Sequence, residues 1–325
     1  MKSLMDMSSG VGQWLSEELV AVRTIISEHL TNGHGEVNAI CTELASYKGK
    51  MLRPSLLLLS WKSICPHSVI PRDVRMAAGV VELIHLATLV HDDVLDESDL
   101  RRGKRTVNSL LGNETAVMLG DYLLSSAFLL CSKIKNTELN ILLGEVTNTL
   151  CAGEVVQLTN RNNVDISLEQ YYQIIHDKTA SLISACCEMG SVLGCGTIEQ
   201  MGGLIGFGEL VGMAFQIKDD LLDLLEAREV VGKPTGRDLE KGKITLPIIS
   251  LLEKKPELKP FVQEVINKGD RFELRKILES EGSIEIAIAV LNECVDGAVE
   301  RVKNVFDNDA SAQLCALGNQ LKQNI

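Results

Sequence analysis

Residues 71–98 read PRDVRMAAGVVELIHLATLVHDDVLDES, and this stretch decides the fold. Its apolar side chains recur at steps of three and four residues, which is the spacing of one face of an α-helix. Pro71 suits the first turn of such a helix, because the first turn leaves its amide hydrogens unpaired in any case. The segment therefore predicts one long helix, near residues 72–98, that carries a group of carboxylates towards its end.

Two groups of carboxylates in the chain share the spacing DDxxD. They are Asp92, Asp93, Asp96, Asp219, Asp220 and Asp223. On a helix, the first and third members of each group lie about 40° apart and one turn apart in height. Carboxylates on one face can share Mg²⁺ ions, which prefer oxygen ligands, and leave coordination positions for water and phosphate. The alternative is a solvated acidic face, but both groups lie in apolar sequence, and two such motifs arise by chance in roughly one such chain in a thousand.

Helix is also the dominant signal in the rest of the chain, which contains seven prolines and 4% aromatic residues. Ser167 with Gln170 and Thr197 with Gln200 fit capping boxes at helix starts. Long helices are expected near 9–31, 51–66, 72–98, 113–134, 137–160, 167–190 and 197–229, and shorter ones from about 245 onward. Neither a Gly/Ser linker nor a solenoid repeat interrupts this pattern. The sequence predicts a single all-α domain over residues 1–325, a helical bundle around a central cavity.

Composition excludes several classes of protein. The net charge of −12 argues against a nucleic-acid-binding protein, which normally has a basic face. Nine scattered cysteines, without a CxxC pair, indicate a reducing compartment rather than a disulfide framework or a zinc site. The N-terminal residues lack a signal-peptide pattern, and no apolar run reaches transmembrane length. We therefore expect a cytoplasmic protein without a transmembrane segment.

Basic side chains near the two motifs are candidates for binding a phosphate group. Arg101 and Arg102 follow the first motif, and arginine matches phosphate oxygens with two parallel hydrogen bonds. Lys178 lies in an apolar helix, residues 49–54 open a helix after a glycine, and His85 precedes Asp92 by two turns. Each has an ordinary alternative. The two arginines could belong to a solvated turn, and Lys178 could extend to solvent. Residues 49–54 could be a plain helix start, and His85 could be a satisfied core histidine. The charged loop at 232–243 follows the second motif, where a lid would be expected.

With these motifs in place, the sequence resembles the trans-type isoprenyl diphosphate synthases, or polyprenyl synthetases, from about residue 47 to residue 251. The matching segments are GKMLRP (49–54), ELIHLATLVHDDVLDESDLRRG (82–103), GD (120–121), GEVVQL (153–158), KTA (178–180), FGELVGMAFQIKDDLLD (207–223) and GKPTGRDLEKGKITLP (232–247). The resemblance implies the single-domain isoprenoid synthase fold, usually dimeric. It implies condensation of an allylic diphosphate with isopentenyl diphosphate, head to tail, assisted by about three Mg²⁺ ions. Lys48, Met51 and Arg105 depart from the residues usual in the family.

The resemblance also implies a role for individual residues. Asp92, Asp96 and Asp219 match the main metal ligands, and Asp93, Asp220 and Asp223 the supporting ones. The positions that hold the allylic diphosphate are matched by Arg101, Lys178, Thr179, Gln216 and Lys233. Those of the isopentenyl diphosphate pocket are matched by Lys50, Arg53, His85 and Arg102. Three residues, Lys178, Thr179 and Gln216, are further expected to stabilise the allylic cation.

Product length is expected to depend on the residues four and five positions before the first motif, which close the cavity in the family when they are aromatic. Here they are Thr88 and Ala87, both small, so the resemblance implies a product longer than geranylgeranyl diphosphate. Helix geometry places Thr88 about 40° from Asp92 and Ala87 about 140° away. A deeper floor formed by the helix over 116–130, for example by Phe128, remains an alternative. The alternatives are a geranylgeranyl or farnesyl diphosphate synthase and the catalytic subunit of a heteromeric synthase.

Other members of the same fold class are less consistent with the motifs. A class I terpene cyclase would carry a second motif of the Asn/Ser/Glu type, which residues 219–223 do not resemble. A head-to-head synthase of the squalene type would differ in both motifs. A regulatory subunit of a heteromeric synthase tends to lose aspartates, and all six are present here.

Overall fold

The structure, a computed structural model, describes residues 10–45, 49–101, 103–225, 237–268 and 271–323. The α-helices are α1 (Gly10–Leu30), α2 (Gly35–Ala45), α3 (Leu52–Ile64), α4 (Arg72–Leu95), α5 (Val107–Leu111), α6 (Asn113–Ser132), α7 (Thr137–Thr159), α8 (Leu168–Ile175), α9 (Ser181–Leu193), α10 (Ile198–Leu225), α11 (Arg237–Glu240), α12 (Leu246–Lys254), α13 (Lys259–Lys268), α14 (Arg271–Ser280), α15 (Ser283–Lys303) and α16 (Asp309–Asn319). A π-helix spans His176–Ala180, and 3₁₀ turns span Pro256–Leu258 and Gln320–Lys322. Two short strands, β1 (Leu100–Arg101) and β2 (Lys104–Arg105), pair in an antiparallel hairpin. The prediction of an all-α fold is confirmed.

Several helix boundaries follow from their capping residues. The side chains of Ser167 and Thr197 both accept a hydrogen bond from the amide three residues on, as the capping boxes predicted. Pro71 is the N-cap of α4 rather than a residue of its first turn. That helix ends at Leu95, three residues earlier than expected, and Glu97 adopts a positive φ of 47° that a helix does not accept.

The main departure from the sequence prediction lies at the helix expected over 167–190. It is three consecutive segments, α8, the π-helix and α9, and the π-helix contains Lys178 and Thr179. Helices α2 and α5 were not predicted. The expected helix 197–229 is observed as α10 as far as Leu225, and residues 226–236 lie outside the described part of the chain.

Two long helices, α4 and α10, form the centre of the bundle. Helix α4 packs against α6, α3 and α1, and α10 packs against α15 and α9. Leu83 and Ile84 of α4 and Phe207 and Leu221 of α10 are fully buried. Each DDxxD motif occupies the C-terminal end of one of these helices, so the core of the bundle sets the positions of both motifs.

Helices α4 and α6 are also long and apolar enough to cross a membrane by length and composition alone. In their most apolar windows 67% of the residues of α4 and 44% of those of α6 are buried inside the bundle. The two helices pack against each other, so their apolar character is explained in large part by the core they build.

Close contacts through glycine fix the π-helix between α7 and α10. A Cβ added at Gly212 of α10 would lie 2.4 Å from the Cα of Ala180, and one added at Gly153 of α7 would lie 2.9 Å from the amide nitrogen of Lys178. Real Cβ atoms do not approach this closely, so only glycine permits either contact. The backbone that carries Lys178 and Thr179 is therefore held from two sides.

Candidate active site

Both aspartate motifs line one cavity of about 850 Å³ that lies between α4, α7, the π-helix and α10. Most of the residues expected from the sequence to handle the substrates line it as well. The cavity-lining members of that set are Asp92, Asp93, Asp96, Asp219, Asp220, Asp223, Arg53, His85, Thr88, Arg101, Lys178, Thr179 and Gln216. The structure therefore brings together side chains that are more than 160 positions apart in the chain.

The carboxylates of the first motif are already paired with cationic side chains. Asp93 is 7% exposed and accepts hydrogen bonds from Arg101 Nε at 2.9 and 3.0 Å. Asp96 lies 3.4 Å from Arg161 Nη2 and 3.7 Å from Lys243 Nζ. A positive charge thus stands beside two of the three carboxylates, which offsets the repulsion between them.

In the second motif, Asp220 is held by two donors. The hydroxyl of Tyr171 donates to Asp220 Oδ2 at 2.7 Å, and Gln216 Nε2 donates to Asp220 Oδ1 at 2.8 Å. Gln216 also accepts a hydrogen bond from the Thr179 hydroxyl through its Oε1 atom, at 2.7 Å. Three side chains from α8, the π-helix and α10 therefore fix the direction in which Asp220 points.

Burial changes the protonation of this motif. Burial first, and then the nearby Asp238, raise the pKa of Asp220 from 3.8 to about 8, while the hydrogen bonds from Gln216 and Tyr171 act in the opposite direction. Burial also raises the pKa of Asp92, and the nearby positive charge of Lys178 opposes this shift. Both shifts show that a negative charge is poorly solvated at these positions, so a counter-cation would favour the ionised carboxylates.

The lysine expected to bind diphosphate lies on the cavity wall. Lys178 lies on the π-helix, and its Nζ atom is 2.6 Å from Glu154 Oε2 on α7. Its side chain therefore points into the cavity and does not extend to solvent. A π-helix adds one residue to the turn, and such insertions often occur at functional sites because they redirect side chains.

A second lysine approaches the cavity from the loop before α12. Lys243 Nζ lies 3.1 Å from Asp238 and 3.7 Å from Asp96. Burial lowers the pKa of Lys243, but the carboxylates of Asp238 and Asp96 outweigh it and the net shift is upward. Lys243 therefore stays charged, next to a predicted metal ligand.

Of the residues expected to bind isopentenyl diphosphate, His85 lines a smaller pocket as well as the main cavity, and Gly49, Glu82, Asp93 and Arg101 are among the other residues that line the smaller one. Arg53 begins α3 and lines the main cavity, and burial lowers its pKa. Its Nε atom is buried and has no hydrogen-bond partner among the described residues. An arginine in this position needs an acceptor, as a bound anion would supply.

Several predicted residues are placed differently or fall outside the description. Lys50 is exposed and is not among the residues that line either pocket. Ala87 is 2% exposed in the core of α4 and is not a lining residue of the main cavity, unlike Thr88. Phe128, considered as a deeper floor, is 40% exposed on α6. The predicted ligands Arg102 and Lys233 lie outside the described residues.

The donor set fits divalent metal ions, although the described residues contain no group of three His, Cys, Asp or Glu side chains close enough to hold one ion. Carboxylate oxygens are the ligands that Mg²⁺ prefers, and Mg²⁺ is usually bound by one or two protein carboxylates together with substrate phosphates and water. Two carboxylate groups that line one cavity suit that mode of binding. The site is therefore suited to metal ions that arrive with a phosphate ligand.

Four residues of the site were not assigned a role from the sequence. Glu154 lies in GEVVQL, and Lys243 lies in the charged loop, so both belonged to segments that the sequence had singled out. Tyr171 and Arg161 carried no signal. Tyr171 contacts Asp220, 49 positions away, and Arg161 contacts Asp96, 65 positions away. Contacts of this kind form only in the folded protein and leave no pattern in the sequence.

Comparison with known proteins agrees with this geometry. The model of the polyprenyl synthetase family matches residues 34–280. The chain belongs to the polyprenyl synthetase family. It is 33% identical over 309 residues to the octaprenyl diphosphate synthase of Escherichia coli, a match that covers 94% of this chain and 91% of the relative.

Solved structures of other polyprenyl synthetases share the fold. The heptaprenyl diphosphate synthase of Staphylococcus aureus superposes with a TM-score of 0.90 at 29% identity, covering 95% of this chain and 98% of that one. The polyprenyl synthase of Caulobacter crescentus, complexed with calcium and isoprenyl diphosphate, has a TM-score of 0.89 at 27% identity and covers 100% and 99%. The predicted isoprenoid synthase fold and the predicted family are confirmed, and this polyprenyl synthetase is a trans-prenyltransferase that acts on an allylic diphosphate and isopentenyl diphosphate.

The raised pKa of Asp220 makes the stability of the metal-free polyprenyl synthetase depend on pH. Between about pH 4 and 8 the folded protein keeps a proton on Asp220 that the unfolded chain has released, so stability falls as pH rises, by up to roughly 1.4 kcal/mol per pH unit. Urea unfolding in EDTA measures this slope, and Asp220→Asn should flatten it. The exposed Asp99→Asn is the matched control and should keep the wild-type slope. A slope unchanged by Asp220→Asn would contradict the assignment.

Proposed function

We propose that this polyprenyl synthetase ionises its allylic diphosphate with the help of Mg²⁺ held by the two aspartate motifs, as about three ions per site. The observation that carries the proposal is one cavity lined by both DDxxD motifs and by Arg53, Arg101 and Lys178. Mg²⁺ bound there would act as a Lewis acid towards the diphosphate leaving group, a contribution of several kcal/mol. The calcium and isoprenyl diphosphate in the Caulobacter crescentus relative support this assignment.

The residues of this chain would bind and orient the two substrates. Arg101, Lys178 and Lys233 would neutralise the allylic diphosphate. The oxygen atoms of Thr179 and Gln216, held together by a hydrogen bond of 2.7 Å, would face the allylic carbon and stabilise positive charge there. The apolar wall of the cavity would keep water away from the cation until the double bond of isopentenyl diphosphate attacks it.

Isopentenyl diphosphate would bind beside the allylic site, through Arg53, His85, Lys50 and Arg102. Arg53 supports this assignment best, because a partly buried guanidinium whose buried Nε atom is unsatisfied gains most from an anionic partner. His85 lines both pockets, which supports a position next to both substrates. The proton released at the end of the reaction would pass to the departing pyrophosphate.

The test of this function is the Asp92→Ala variant. We expect turnover of farnesyl diphosphate and isopentenyl diphosphate with Mg²⁺, measured as pyrophosphate release, to fall by at least about 10³-fold, because an interaction of several kcal/mol with the leaving group is lost. Asp99→Ala is the matched control, since Asp99 is an exposed carboxylate just after the motif. Wild-type turnover in Asp92→Ala would refute the proposal. A purified wild-type protein that is silent until a second protein is added would favour a subunit of a heteromeric synthase.

We further propose that the product is longer than geranylgeranyl diphosphate. Thr88 lines the cavity one turn from Asp92, and its small side chain would leave a path along α4 open. The octaprenyl and heptaprenyl diphosphate synthases among the similar proteins support the same range.

Thr88→Phe should shorten the product, because an aromatic ring at this point of the wall closes the path. Chromatography of the dephosphorylated products measures the chain length, and Thr88→Ser is the control that preserves the open path. A wild-type product no longer than geranylgeranyl diphosphate would refute the long-chain proposal, and an unchanged length in Thr88→Phe would refute the role of Thr88.

The remaining proposals concern assembly and location. We propose a single domain that forms a homodimer in the cytoplasm. The nine cysteines are all free thiols, which supports a reducing compartment, and recovery in a membrane or organelle fraction would argue against it. Of the fifteen large hydrophobic side chains that are strongly exposed among the described residues, nine lie on α5, α6 and α7. Such a concentration is typical of a surface that another chain covers.

Charges introduced on this surface should separate the homodimer. Met118 and Leu129 of α6 are 64% and 57% exposed, and the double substitution Met118→Glu and Leu129→Glu would place carboxylates in an apolar interface. Light scattering should then give the 35.5 kDa of one chain instead of twice that mass. Ile198→Glu is the control, because Ile198 is 92% exposed on α10 and lies outside this surface. A monomeric wild-type protein would exclude the homodimer.

A further inference from the structure

Arg161 lies in the loop that follows α7, and this loop is held in place by contacts with a second loop. Its neighbour Asn162 has a positive φ of 62°, and the Asn162 amide donates to the carbonyl oxygen of Gly242 at 2.7 Å. Gly242 also has a positive φ, of 70°, and a Cβ there would lie 2.2 Å from Asn162 Oδ1. The loop that carries Arg161 is therefore docked against the loop that carries Lys243. Two cations from separate parts of the chain are presented side by side.

Both cations meet at one carboxylate of the first motif. Arg161 Nη2 lies 3.4 Å from Asp96 Oδ1, and Lys243 Nζ lies 3.7 Å from Asp96 Oδ2. Lys243 has a second partner, Asp238, at 3.1 Å. Arg161 has no second ion-pair partner among the described residues, and its Nε atom is buried without a hydrogen-bond acceptor there. The side chain is only 26% exposed, so water satisfies it poorly.

A guanidinium carries five N–H donors in a planar fork, and its contact with Asp96 uses one of them at long range. Phosphate oxygens match this fork with two parallel hydrogen bonds, which a lysine cannot make. A divalent cation on Asp96 would compete with Arg161 for the same carboxylate and would bring diphosphate oxygens next to it. The acceptor that Arg161 lacks is thus of the kind that the substrate carries.

We propose that Arg161 is a further ligand of the substrate diphosphate, which exchanges its contact with Asp96 for diphosphate oxygens when a divalent cation occupies Asp96. The inference rests on the proposed function, since it assumes that Asp96 binds a metal ion together with a diphosphate. It adds to that function a residue outside every segment that the sequence motifs single out. It also gives Asp96 two successive partners, so that the carboxylate is balanced by a positive charge both before and after the metal ion binds.

The test is isothermal titration calorimetry of the full chain with inorganic pyrophosphate in the presence of Mg²⁺, and separately with Mg²⁺ alone. We expect Arg161→Gln to weaken binding of Mg²⁺-pyrophosphate at least tenfold without weakening binding of Mg²⁺ alone. Arg161→Lys, which keeps the charge but not the fork, should weaken pyrophosphate binding at least threefold. Arg23→Gln is the matched control, because Arg23 is exposed on α1, and it should bind like the wild type.

If thermal unfolding shows that Arg161→Gln does not fold, Arg161→Lys provides the test in its place. Wild-type affinity for Mg²⁺-pyrophosphate in either folded variant would overturn the proposal, and so would tighter binding, which would make Arg161 only a counter-ion of Asp96. The Asp92→Asn variant separates this failure from a failure of the proposed function. If the wild type does not bind pyrophosphate with Mg²⁺, or if Asp92→Asn binds it equally well, the proposed function fails and the inference fails with it.

Discussion

The constraint on which the site depends is the repulsion among six carboxylates that line one cavity. The first DDxxD motif also lies at the C-terminal end of α4, where the helix dipole is negative and a further negative charge is unfavourable. Burial is the main cause of the raised pKa of Asp220, and the neighbouring carboxylates of Asp238 and Asp219 raise it further. Such an arrangement is stable only with cations nearby. Arg101, Arg161 and Lys243 supply part of the positive charge, and the remaining deficit favours divalent metal ions.

The rigid scaffold holds the carboxylates and the cationic side chains of the site in fixed positions. The motif helices α4 and α10 are anchored by fully buried residues, and the π-helix is held between Gly153 and Gly212 at distances that no larger residue allows. Tyr171, Gln216 and Thr179 then connect the π-helix to Asp220 through hydrogen bonds of 2.7–2.8 Å. The lysine proposed to bind the substrate and a carboxylate proposed to bind metal are thus fixed relative to each other before either meets a ligand, which would lower the entropy lost on binding.

Sequence patterns predict what depends on local spacing. The long helices, the capping boxes at Ser167 and Thr197, and the helical face shared by Asp92 and Asp96 all follow from residues within a few turns of one another. The π-helix does not, because its extra residue is stabilised by close packing against α7 and α10 rather than by its own sequence. Arg161, the partner of Asp96, lies in the loop after α7, and Tyr171, the partner of Asp220, lies on α8. Only the packed bundle brings each of them to its aspartate. Resemblance to the family located the carboxylates but assigned these two residues no role.

The wall of the cavity connects product length with assembly. Thr88 faces the cavity, while Ala87 is buried at 2% exposure, so bulk at position 87 would enter the core of the bundle and reach the product only by displacing its neighbours. Val117 of α6 and Val155 of α7 also line the cavity and are 40% and 59% exposed. They belong to the same apolar surface that we propose a second chain covers. A partner seated there would press on side chains that bound the growing product. Under these proposals, product length would depend on the residues along α4 and on the packing of α6 and α7 against the second chain.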